Sequence, residues 1–496
     1  MTPERVHLPL IGKSARRGPD RAYHPEPYRR GSDYDTDILL LNPMVSYQAD
    51  VNVGTMGVPD DFLVRCINPG ILSIATWLDH RGRSVAVLDF LDDNADGPLR
   101  AYLSQHSPRV VGISCMTGFA YLHALHLARL VRELAPHSMI VFGGQHVGAQ
   151  SLDVLGDGPS IDAVALYEGE EVADALIDVV AGRRDLDGVP GIAWRDDGCL
   201  NINLAYPRLL PLAEIPPLRY DLYPRFRTFT PFVEESRGCF AKCEYCITPF
   251  TNNYRIRRKS GARILEEVDR AVDLWGDELD GPIAMLAATF GVQVAQTLEL
   301  MRGLGTRSVR WSTEIRADSA LLDHLGEMND SGISNLFVGM ESASATQLAR
   351  MDKTRRAEDY LDRMREMLVR ADRYDNLLLK IGLLFYVGEN QRTMRETLSF
   401  LLGSQDYIHW VSVSPLFVFG GTPLHHRFEE YAANYGSSLH EEGFWKVSRT
   451  FPCNVSKEFD FEASVEAARF IERIFRAPEA FDRVFTRADE VPIGLW

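Results

Sequence analysis

Three cysteines stand close together in the segment Glu235-Ser-Arg-Gly-Cys-Phe-Ala-Lys-Cys-Glu-Tyr-Cys246. Cys239, Cys243 and Cys246 have the spacing C-x3-C-x2-C, which can supply three thiolates to a four-iron cluster. Because such clusters normally take four thiolates, the loop either borrows a distant fourth ligand or leaves one iron open to a small molecule. A zinc site is the alternative, but zinc motifs add a second cysteine pair or suitably spaced histidines, and no such second pair follows. The spacing therefore favours an iron–sulfur cluster.

The composition is that of a cytosolic enzyme with several domains. The chain has 496 residues, of which 45% are hydrophobic, and at ~100–200 residues per domain this length predicts two to four domains. Its seven cysteines are an odd number and four of them are scattered, so they do not form a disulfide framework. Residues 1–30 carry charges and prolines where a signal peptide needs an apolar core, and no apolar run is long enough to span a membrane. We therefore expect a soluble, cytoplasmic protein in a reducing compartment.

Apolar periodicity divides the chain into an N-terminal arm and two α/β domains. From Asp37 onward, apolar runs alternate with helical stretches, as parallel strands alternate with crossover helices. This pattern predicts a doubly wound Rossmann-like sheet of about five strands, and then an open barrel of about six strand–helix units. The predicted segments are a basic flexible arm (1–34), the Rossmann-like domain (35–204), a proline-rich linker (205–229), a partial (β/α)6 barrel (230–430) and a mainly helical C-terminal region (431–496). The predicted strands lie at 38–41, 84–88, 110–114, 139–142 and 163–166 in the first domain, and at 283–288, 308–315, 335–339, 377–384 and 410–417 in the second.

The cysteine loop resembles that of the radical SAM superfamily. An aromatic residue before the third cysteine belongs to that signature, and Tyr245 stands there. The resemblance implies a [4Fe–4S] cluster on Cys239, Cys243 and Cys246, whose open iron chelates the amino and carboxylate groups of S-adenosylmethionine (SAM). It also implies that the second predicted domain is a radical SAM partial barrel.

The first domain resembles the cobalamin-binding domain that precedes the barrel in one subgroup of that superfamily. Ligands of such sheets bind at the carboxyl ends of the strands, and the resemblance places a corrinoid-type pocket on residues that follow predicted strands there. These are Ser114, Thr117, Gly143, Gly144 and His146. The Gly-Glu-Glu element at 169–171 belongs to the same family order, but the D-x-H-x-x-G motif that supplies a lower histidine ligand elsewhere is absent. Small residues in such turns also let the backbone approach a neighbour, and a single histidine is often only a surface residue, so cobalamin binding stays open.

Motifs of the second domain follow the family order. The strand Trp311-Ser-Thr-Glu-Ile-Arg-Ala-Asp318 resembles the segment that faces SAM, which makes Glu314 and Arg316 candidates; alternation puts both on one face. Glu341 belongs to the Gly339-Met-Glu-Ser342 element, which resembles a G-x-E-S motif of the family, and a lysine, Lys353, follows where the family usually has one. Residues 420–424 match a Gly-Gly-Thr-Pro-Leu turn near the barrel's end. The resemblance implies SAM contacts for Tyr245, Glu314, Arg316 and Glu341.

Two reactions are compatible with this resemblance. In both, cleavage of SAM by the reduced cluster gives a 5′-deoxyadenosyl radical that takes a hydrogen atom from a small polar natural product. We favour radical diol dehydration of an aminoglycoside or amino sugar in antibiotic biosynthesis, as in the radical SAM diol dehydratase. The alternative is cobalamin-dependent C-methylation of a specialised metabolite. Residues 285–291 lack the acidic pair that many enzymes of this family carry after the second barrel strand, and Thr289 is at best a weak substitute. The sequence identifies no general acid or base.

The expected partners follow from charge and chemistry. The formal charge of −16 disfavours nucleic-acid and anionic-membrane partners and would attract a cationic substrate, although such a charge also serves solubility. A redox-sensing regulator is disfavoured for the same reason and because no DNA-binding motif is present. We expect an electron donor such as flavodoxin or ferredoxin and, for dehydration, a separate NAD(P)H-dependent reductase acting on the product. Cys453 could serve as a hydrogen-atom donor if the reaction is an epimerisation.

Overall fold

Two sheets organise the chain one after the other. The computed structural model describes residues 8–9, 33–43, 67–90, 96–115, 118–196, 199–251, 255–374, 376–439 and 450–475. The strands of the first sheet are β1 (Leu8–Pro9), β2 (Thr36–Asn42), β3 (Val85–Asp89), β4 (Pro108–Ser114), β5 (Met139–Gly143), β6 (Ala163–Ala165), β7 (Ile192–Asp196) and β8 (Cys199–Asn203). Its helices are α1 (Pro69–His80), α2 (Gly97–Leu103), α3 (Gly118–Leu134), α4 (Gln145–Ala149), α5 (Ser151–Asp157) and α6 (Glu170–Val180).

The first domain is doubly wound because its strands are apolar on both faces. Along β2, Ile38 and Leu40 pack with α1 and α6, whereas Leu39 and Leu41 pack with α3 on the opposite side of the sheet. Helix α1 begins at a capped position, where the Asn68 side chain accepts a hydrogen bond from the Ile71 amide at 3.1 Å. Strands β2 to β6 are parallel in the order β6-β5-β4-β2-β3. The predicted fold class of this domain is confirmed.

Three additional strands extend this sheet and were not predicted. β7 pairs antiparallel with β6, β8 with β7, and β1 with β8, which gives eight strands in all. Leu8 pairs with Leu200, so the interpretation of residues 1–34 as a flexible arm is wrong for this short part. The rest of that arm up to residue 32 lies outside the described residues. These strands are short and mix polar with apolar residues, so they carry little periodic signal.

The second sheet is an open, six-stranded parallel barrel. Its strands and the adjoining hairpin are β9 (Phe232–Glu234), β10 (Ser236–Arg237), β11 (Arg257–Arg258), β12 (Ile283–Leu286), β13 (Trp311–Arg316), β14 (Ile333–Glu341), β15 (Leu378–Leu384) and β16 (Trp410–Ser414). The barrel order is β16-β15-β14-β13-β12-β9, while β10 and β11 pair only with each other. The helices are α7 (Thr248–Thr251), α8 (Gly261–Trp275), α9 (Val294–Gly305), α10 (Leu325–Asp330), α11 (Ala345–Arg350), α12 (Ala357–Ala371) and α13 (Gln391–Gly403). The predicted partial barrel is confirmed.

The C-terminal part contains more strand than predicted. Its elements are β17 (Phe417–Phe419), α14 (Pro423–His426), α15 (Phe428–Tyr435), β18 (Ser438–Leu439), β19 (Thr450–Asn454) and α16 (Phe461–Ile474). β17, β19 and β18 form a small antiparallel sheet, so the described part of the region after residue 430 contains short strands beside the predicted helices. Helix α16 covers β16, the edge strand of the barrel, whose Val411 and Val413 amides bond to Phe475 O and Glu472 Oε1.

The two domains share one apolar core. The segment 205–229 between them packs Leu212, Leu218 and Tyr223 into the cluster that α1 and α6 form with Phe232 and Trp275 of the barrel. Short 3₁₀ helices lie at Leu186–Gly188, Tyr220–Leu222, Phe226–Thr228, Gly276–Glu278, Ala320–His324 and Gln405–Tyr407. Within the described ranges, no helix is long and apolar enough to cross a membrane.

Candidate active site

One cavity connects the two domains. It has a volume of ≈ 1740 Å³ and is lined by Ser114 and Gly143 at strand ends of the first sheet and by Glu234 and Glu314 of the barrel. Pockets for a single small ligand usually measure ~300–1,000 Å³, so this cavity has room for more than one molecule. It reaches the cysteine loop at Gly238. The carboxyl ends of both parallel sheets are where ligands are expected in such folds.

The three cysteines lie together in the loop that follows β10. Cys239 and Cys243 are buried, Cys246 is partly exposed, and all three thiols are free. Burial raises the pKa values of Cys239 and Cys246, and the neighbouring Cys243 thiol raises both further. Two donors point at sulfur: the Ala241 amide lies 3.4 Å from Cys239 Sγ, and Arg316 Nη1 lies 3.4 Å from Cys243 Sγ. Such donors stabilise thiolates and tune the potential of a cluster bound by them.

The predicted zinc alternative receives no support from the geometry. In the part of the chain that the structure describes, no three His, Cys, Asp or Glu side chains are grouped tightly enough to hold one metal ion. A mononuclear zinc site needs four ligands around a single point. A four-iron cluster instead takes each thiolate on a separate iron, so its ligands need not meet at one point.

An ion-pair network fixes the start of the cysteine loop to the first domain. Arg237 Nη1 lies 2.7 Å from Glu170 Oε1 and 3.4 Å from Glu168 Oε2, while its Nε lies 2.7 Å from Glu234 Oε1. Ser73 Oγ accepts a hydrogen bond from Arg237 Nη2 at 2.8 Å. Burial works to raise the pKa of Glu170, but the Arg237 charge and the Ser73 hydrogen bond outweigh it and hold that pKa below its usual value. The Gly-Glu-Glu element thus joins the domains, a role that sequence reasoning missed.

Glu314 and Arg316 share a face of β13 but have different surroundings. Glu314 is exposed to the cavity, and desolvation there raises the pKa of its carboxyl against the attraction of Lys380. Arg316 turns to the cysteine loop: besides Cys243 Sγ, it binds Asp318 at 2.8 Å and the Lys353 carbonyl at 2.8 Å. Only Glu314 of this pair lines the cavity.

Glu341 and Tyr245 also lie around the cysteine loop. Glu341 has a left-handed backbone with φ of 70°, and its Oε1 accepts a hydrogen bond from Lys353 Nζ at 2.8 Å. Burial raises the pKa of Tyr245 far above its usual value, and the adjacent Glu341 carboxylate, which accepts its hydrogen bond, raises it further. The Tyr245 ring stands edge-on to Tyr386, with 6.2 Å between centroids. These contacts bring two of the four residues predicted to bind SAM together at the cysteine loop, which contains Tyr245.

A row of four side chains crosses the barrel at one level. Glu314 pairs in register with Phe337, Phe337 with Lys380, and Lys380 with Trp410, on four neighbouring strands. All four line the cavity. Lys380 Nζ lies 4.2 Å from the centroid of the Trp410 ring and 5.6 Å from that of Phe337. Lys380 was not among the site residues predicted from the sequence, although a single lysine inside the apolar strand β15 indicates a polar position in the barrel interior.

The first sheet presents small and polar residues to the cavity. Ser114 Oγ accepts a hydrogen bond from Asn68 Nδ2 at 3.1 Å. A Cβ atom added at Gly143 would lie 4.0 Å from its nearest neighbour, the Cβ of Ala165, so the space above this strand end is open. Gly144 has φ of 118°, and a Cβ there would collide with the Cys115 carbonyl, so backbone packing requires this glycine. Thr117 and the side chain of His146 lie outside the described residues.

Two weaker candidates do not reach the cavity. Cys453 is fully buried and its Sγ contacts the Asn454 carbonyl at 3.3 Å. Thr289 is also buried, and neither residue is among the described residues that line the cavity. The hypotheses that Cys453 donates a hydrogen atom and that Thr289 replaces an acidic pair are therefore not supported by their placement.

Comparisons with known proteins agree with this architecture. Residues 61–177 match the family described as B12 binding domain. The chain is 25% identical over 315 residues to an uncharacterised methyltransferase of Pyrococcus horikoshii, covering 62% of this chain and 66% of that protein. It is 26% identical over 366 residues to cytidylyl-2-hydroxyethylphosphonate methyltransferase of Streptomyces wedmorensis, covering 62% of this chain and 65% of that protein. The chain thus spans just under two thirds of the length of these two relatives.

Solved structures share the fold over most of the chain. The radical SAM methyltransferase TsrM from Kitasatospora setae, with cobalamin and a [4Fe–4S] cluster bound, superposes with a TM-score of 0.68 at 15% identity, covering 90% of each chain. The cobalamin-dependent SAM radical enzyme OxsB, with aqua-cobalamin and SAM bound, gives 0.67 at 17% identity, covering 91% of this chain and 70% of that one. The resemblance to radical SAM enzymes with an N-terminal cobalamin-binding-type domain is confirmed at the level of fold.

Proposed function

We propose that the chain, a B12-binding domain joined to a radical SAM-type barrel, is a cobalamin-dependent radical SAM enzyme that methylates a carbon atom of a small molecule. The observation that carries the proposal is the single cavity that connects the strand ends of the B12-binding domain to the cysteine loop. The curated relatives described above are methyltransferases by name, which supports methyl transfer over the dehydration favoured by the sequence.

The residues present fit the three groups that this function needs. Cys239, Cys243 and Cys246 would hold the [4Fe–4S] cluster, since two of their sulfurs already accept hydrogen bonds. The open space above Gly143 would accept a corrinoid at the strand ends. The same cavity continues between that sheet and the helices α1 and α6, where Gly112 is one of the lining residues, so an extended part of a large cofactor also has room.

In the proposed reaction, the side chains of this protein bind and orient the ligands, and they exclude water from the cavity. When bound, the cluster and SAM supply a one-electron cleavage that makes a carbon radical on the substrate, and cobalamin supplies the methyl group. Glu314 would accept hydrogen bonds from a bound ligand, and Lys380 would donate them from two strands away. Phe337 and Trp410 make the cavity wall beside Lys380 apolar, which keeps water from a reactive intermediate.

Dehydration of an aminoglycoside is the second candidate. It is favoured by the wall at residues 285–288, which lines the cavity without any carboxylate. For that reaction we propose a cationic substrate and a separate NAD(P)H-dependent reductase. In either case we propose an electron donor such as flavodoxin or ferredoxin and a cytoplasmic location, where a reduced cluster persists.

A labelling experiment separates the two reactions without a known methylation substrate. Reduced holoprotein is incubated with cobalamin and SAM that carries a deuterated methyl group, and the corrinoid fraction is analysed by mass spectrometry. Methyl transfer predicts deuterium in that fraction. Dehydration would instead be established by three results together. The corrinoid that copurifies with the protein would carry no label, 5′-deoxyadenosine would form, and paromamine would lose water.

A further inference from the structure

Glu244 lies between two of the candidate cluster ligands, and other elements bind its backbone on both sides. Its amide donates to the Met351 carbonyl at 3.0 Å, directly after α11. Its carbonyl accepts from the Leu424 amide at 3.0 Å, in α14. The middle of the cysteine loop is therefore tied both to the barrel and to the segment that follows it.

The Glu244 carboxylate is held by three further side chains. Oε1 pairs with the Arg427 guanidinium, and Oε2 accepts hydrogen bonds from the hydroxyls of Tyr431 and, at 3.4 Å, Tyr386. Only 13% of the Glu244 side chain is exposed. On its outer side Arg427 binds Glu430 Oε1 at 2.9 Å, and this second carboxylate is 52% exposed. Charge-assisted bonds to a nearly buried carboxylate are strong and directional, whereas the exposed pair is weak.

The same segment also contacts the first domain. A Cβ added at Gly421 would lie 2.9 Å from Ala149 Cβ, and one at Gly420 would collide with Gln150. Gly421 has φ of 82°, which glycine adopts readily. The turn at residues 420–424 thus packs against the end of α4 on one side and bonds to Glu244 on the other.

We propose that Glu244 is a positioning residue for the cluster, held in place by Arg427 and Tyr431 of the C-terminal segment. This inference rests on the proposed function, because it takes Cys243 and Cys246 as cluster ligands. Two consequences follow from the contacts. The bonds hold the loop closed around the cluster, and the carboxylate places a negative charge beside it. Since net charge and hydrogen bonding set the potential of such clusters, the charge of Glu244 disfavours the reduced state.

The test uses reconstituted holoprotein and two readouts other than activity. Glu244→Gln keeps the size of the side chain and removes its charge, Tyr431→Phe removes one donor to the same carboxylate, and Glu430→Gln is the matched control on the outer side of Arg427. Iron loss to a chelator is followed by absorbance, and the cluster midpoint potential is measured by a redox titration with EPR detection. We expect Glu244→Gln to lose iron about tenfold faster than wild type, the effect of losing a charged hydrogen bond, and to have a more positive potential.

The outcomes are distinguishable. We expect Tyr431→Phe to lose iron faster than wild type with a smaller change of potential, and Glu430→Gln to match wild type in both readouts. If Glu244→Gln does not fold, Tyr431→Phe decides the question by its rate of iron loss. Variants Glu244→Gln and Tyr431→Phe that match Glu430→Gln in both readouts would overturn the inference while leaving the proposed function intact. A wild-type protein that binds no iron would remove the proposed function and this inference with it.

Discussion

Arg237 Nη1 lies 2.7 Å from Glu170 Oε1, and this contact joins the two domains two residues before Cys239, the first candidate cluster ligand. The Arg237 side chain is 14% exposed and that of Glu170 is 4% exposed, so neither charge is well hydrated. Each charge of a buried ion pair depends on the other, because a charge that loses its partner cannot recover its lost hydration. The glutamates that follow β6 therefore set the position of the cysteine loop relative to the B12-binding domain.

Replacing Arg237 by methionine should be severely destabilising. Removing one partner of a buried pair typically costs about 3–5 kcal/mol, and Glu170 would be left in the domain interface. Chemical denaturation of Arg237→Met measures this loss, and Arg237→Met combined with Glu170→Gln should recover part of it. Arg81→Met is the control: Arg81 pairs with Asp174 but is 50% exposed, and its loss should cost under about 1 kcal/mol. Equal effects of both arginine variants would show that the interface does not depend on Arg237.

Glu314 and Arg316 should both affect SAM binding, but only Arg316 should also affect iron retention. Glu314→Gln removes a carboxylate that faces the cavity and should weaken SAM binding about tenfold, the effect of one charged hydrogen bond, with unchanged iron content. Arg316→Gln removes the donor to Cys243 Sγ and should weaken SAM binding and also speed iron loss. Calorimetry and an iron assay measure the two effects, with the exposed Glu299→Gln on α9 as the control. Unaltered SAM affinity in both variants would show that neither side chain reaches SAM.

The architecture was predictable because its main strands are long and apolar, whereas the site depends on contacts between distant residues. The five parallel strands of the first sheet and five of the six barrel strands lie in apolar runs that the sequence shows, and the cysteine spacing marks one loop. The strands that contain Leu8 and Leu200 show no such periodicity in the sequence, since both are short, and so their pairing was not predicted. Arg237 and Glu170 are 67 residues apart, so nothing local reports their contact. Alternation placed Glu314 and Arg316 on one face, but it could not show that the long Arg316 side chain turns to Cys243.

Glu389 should make the stability of the barrel depend on pH. Burial raises the pKa of its carboxyl from 4.5 to about 7, although Thr393 and Gln347 hydrogen bonds oppose the shift. Between these two values the folded protein holds a proton that the unfolded chain has released, so stability falls as the pH rises through this window. Glu389→Gln cannot ionise and should lose this dependence.

Urea denaturation at pH 5 and pH 8 measures this effect. Relative to Glu389→Gln, wild type should lose up to about 3 kcal/mol more between the two pH values, the equivalent of its pKa shift. Glu358→Gln, at an exposed position on α12, should behave as wild type does. An identical pH dependence in wild type and Glu389→Gln would show that Glu389 is ionised in the folded protein throughout this range.

The three loop cysteines should each be required for the cluster, and the scattered ones should not. Cys239→Ala, Cys243→Ala and Cys246→Ala should each abolish SAM cleavage, because each removes one of only three protein ligands. Cys199→Ala and Cys453→Ala should retain full iron content, since neither residue belongs to the C-x3-C-x2-C loop. Iron analysis and 5′-deoxyadenosine formation are the measurements. A triple-alanine protein with a full cluster would disprove the assignment.

We propose that this one chain holds both a cluster and a corrinoid, the corrinoid in the cavity that reaches the cysteine loop at Gly238. The most direct measurement is an absorbance spectrum, with iron and cobalt analysis, of protein purified without oxygen from cells grown with and without a corrinoid source. We expect iron–sulfur charge-transfer absorption in both preparations, and corrinoid bands with about one cobalt per chain only in the first. A protein that carries the iron–sulfur absorption but no cobalt, even when corrinoid is supplied, would contradict it.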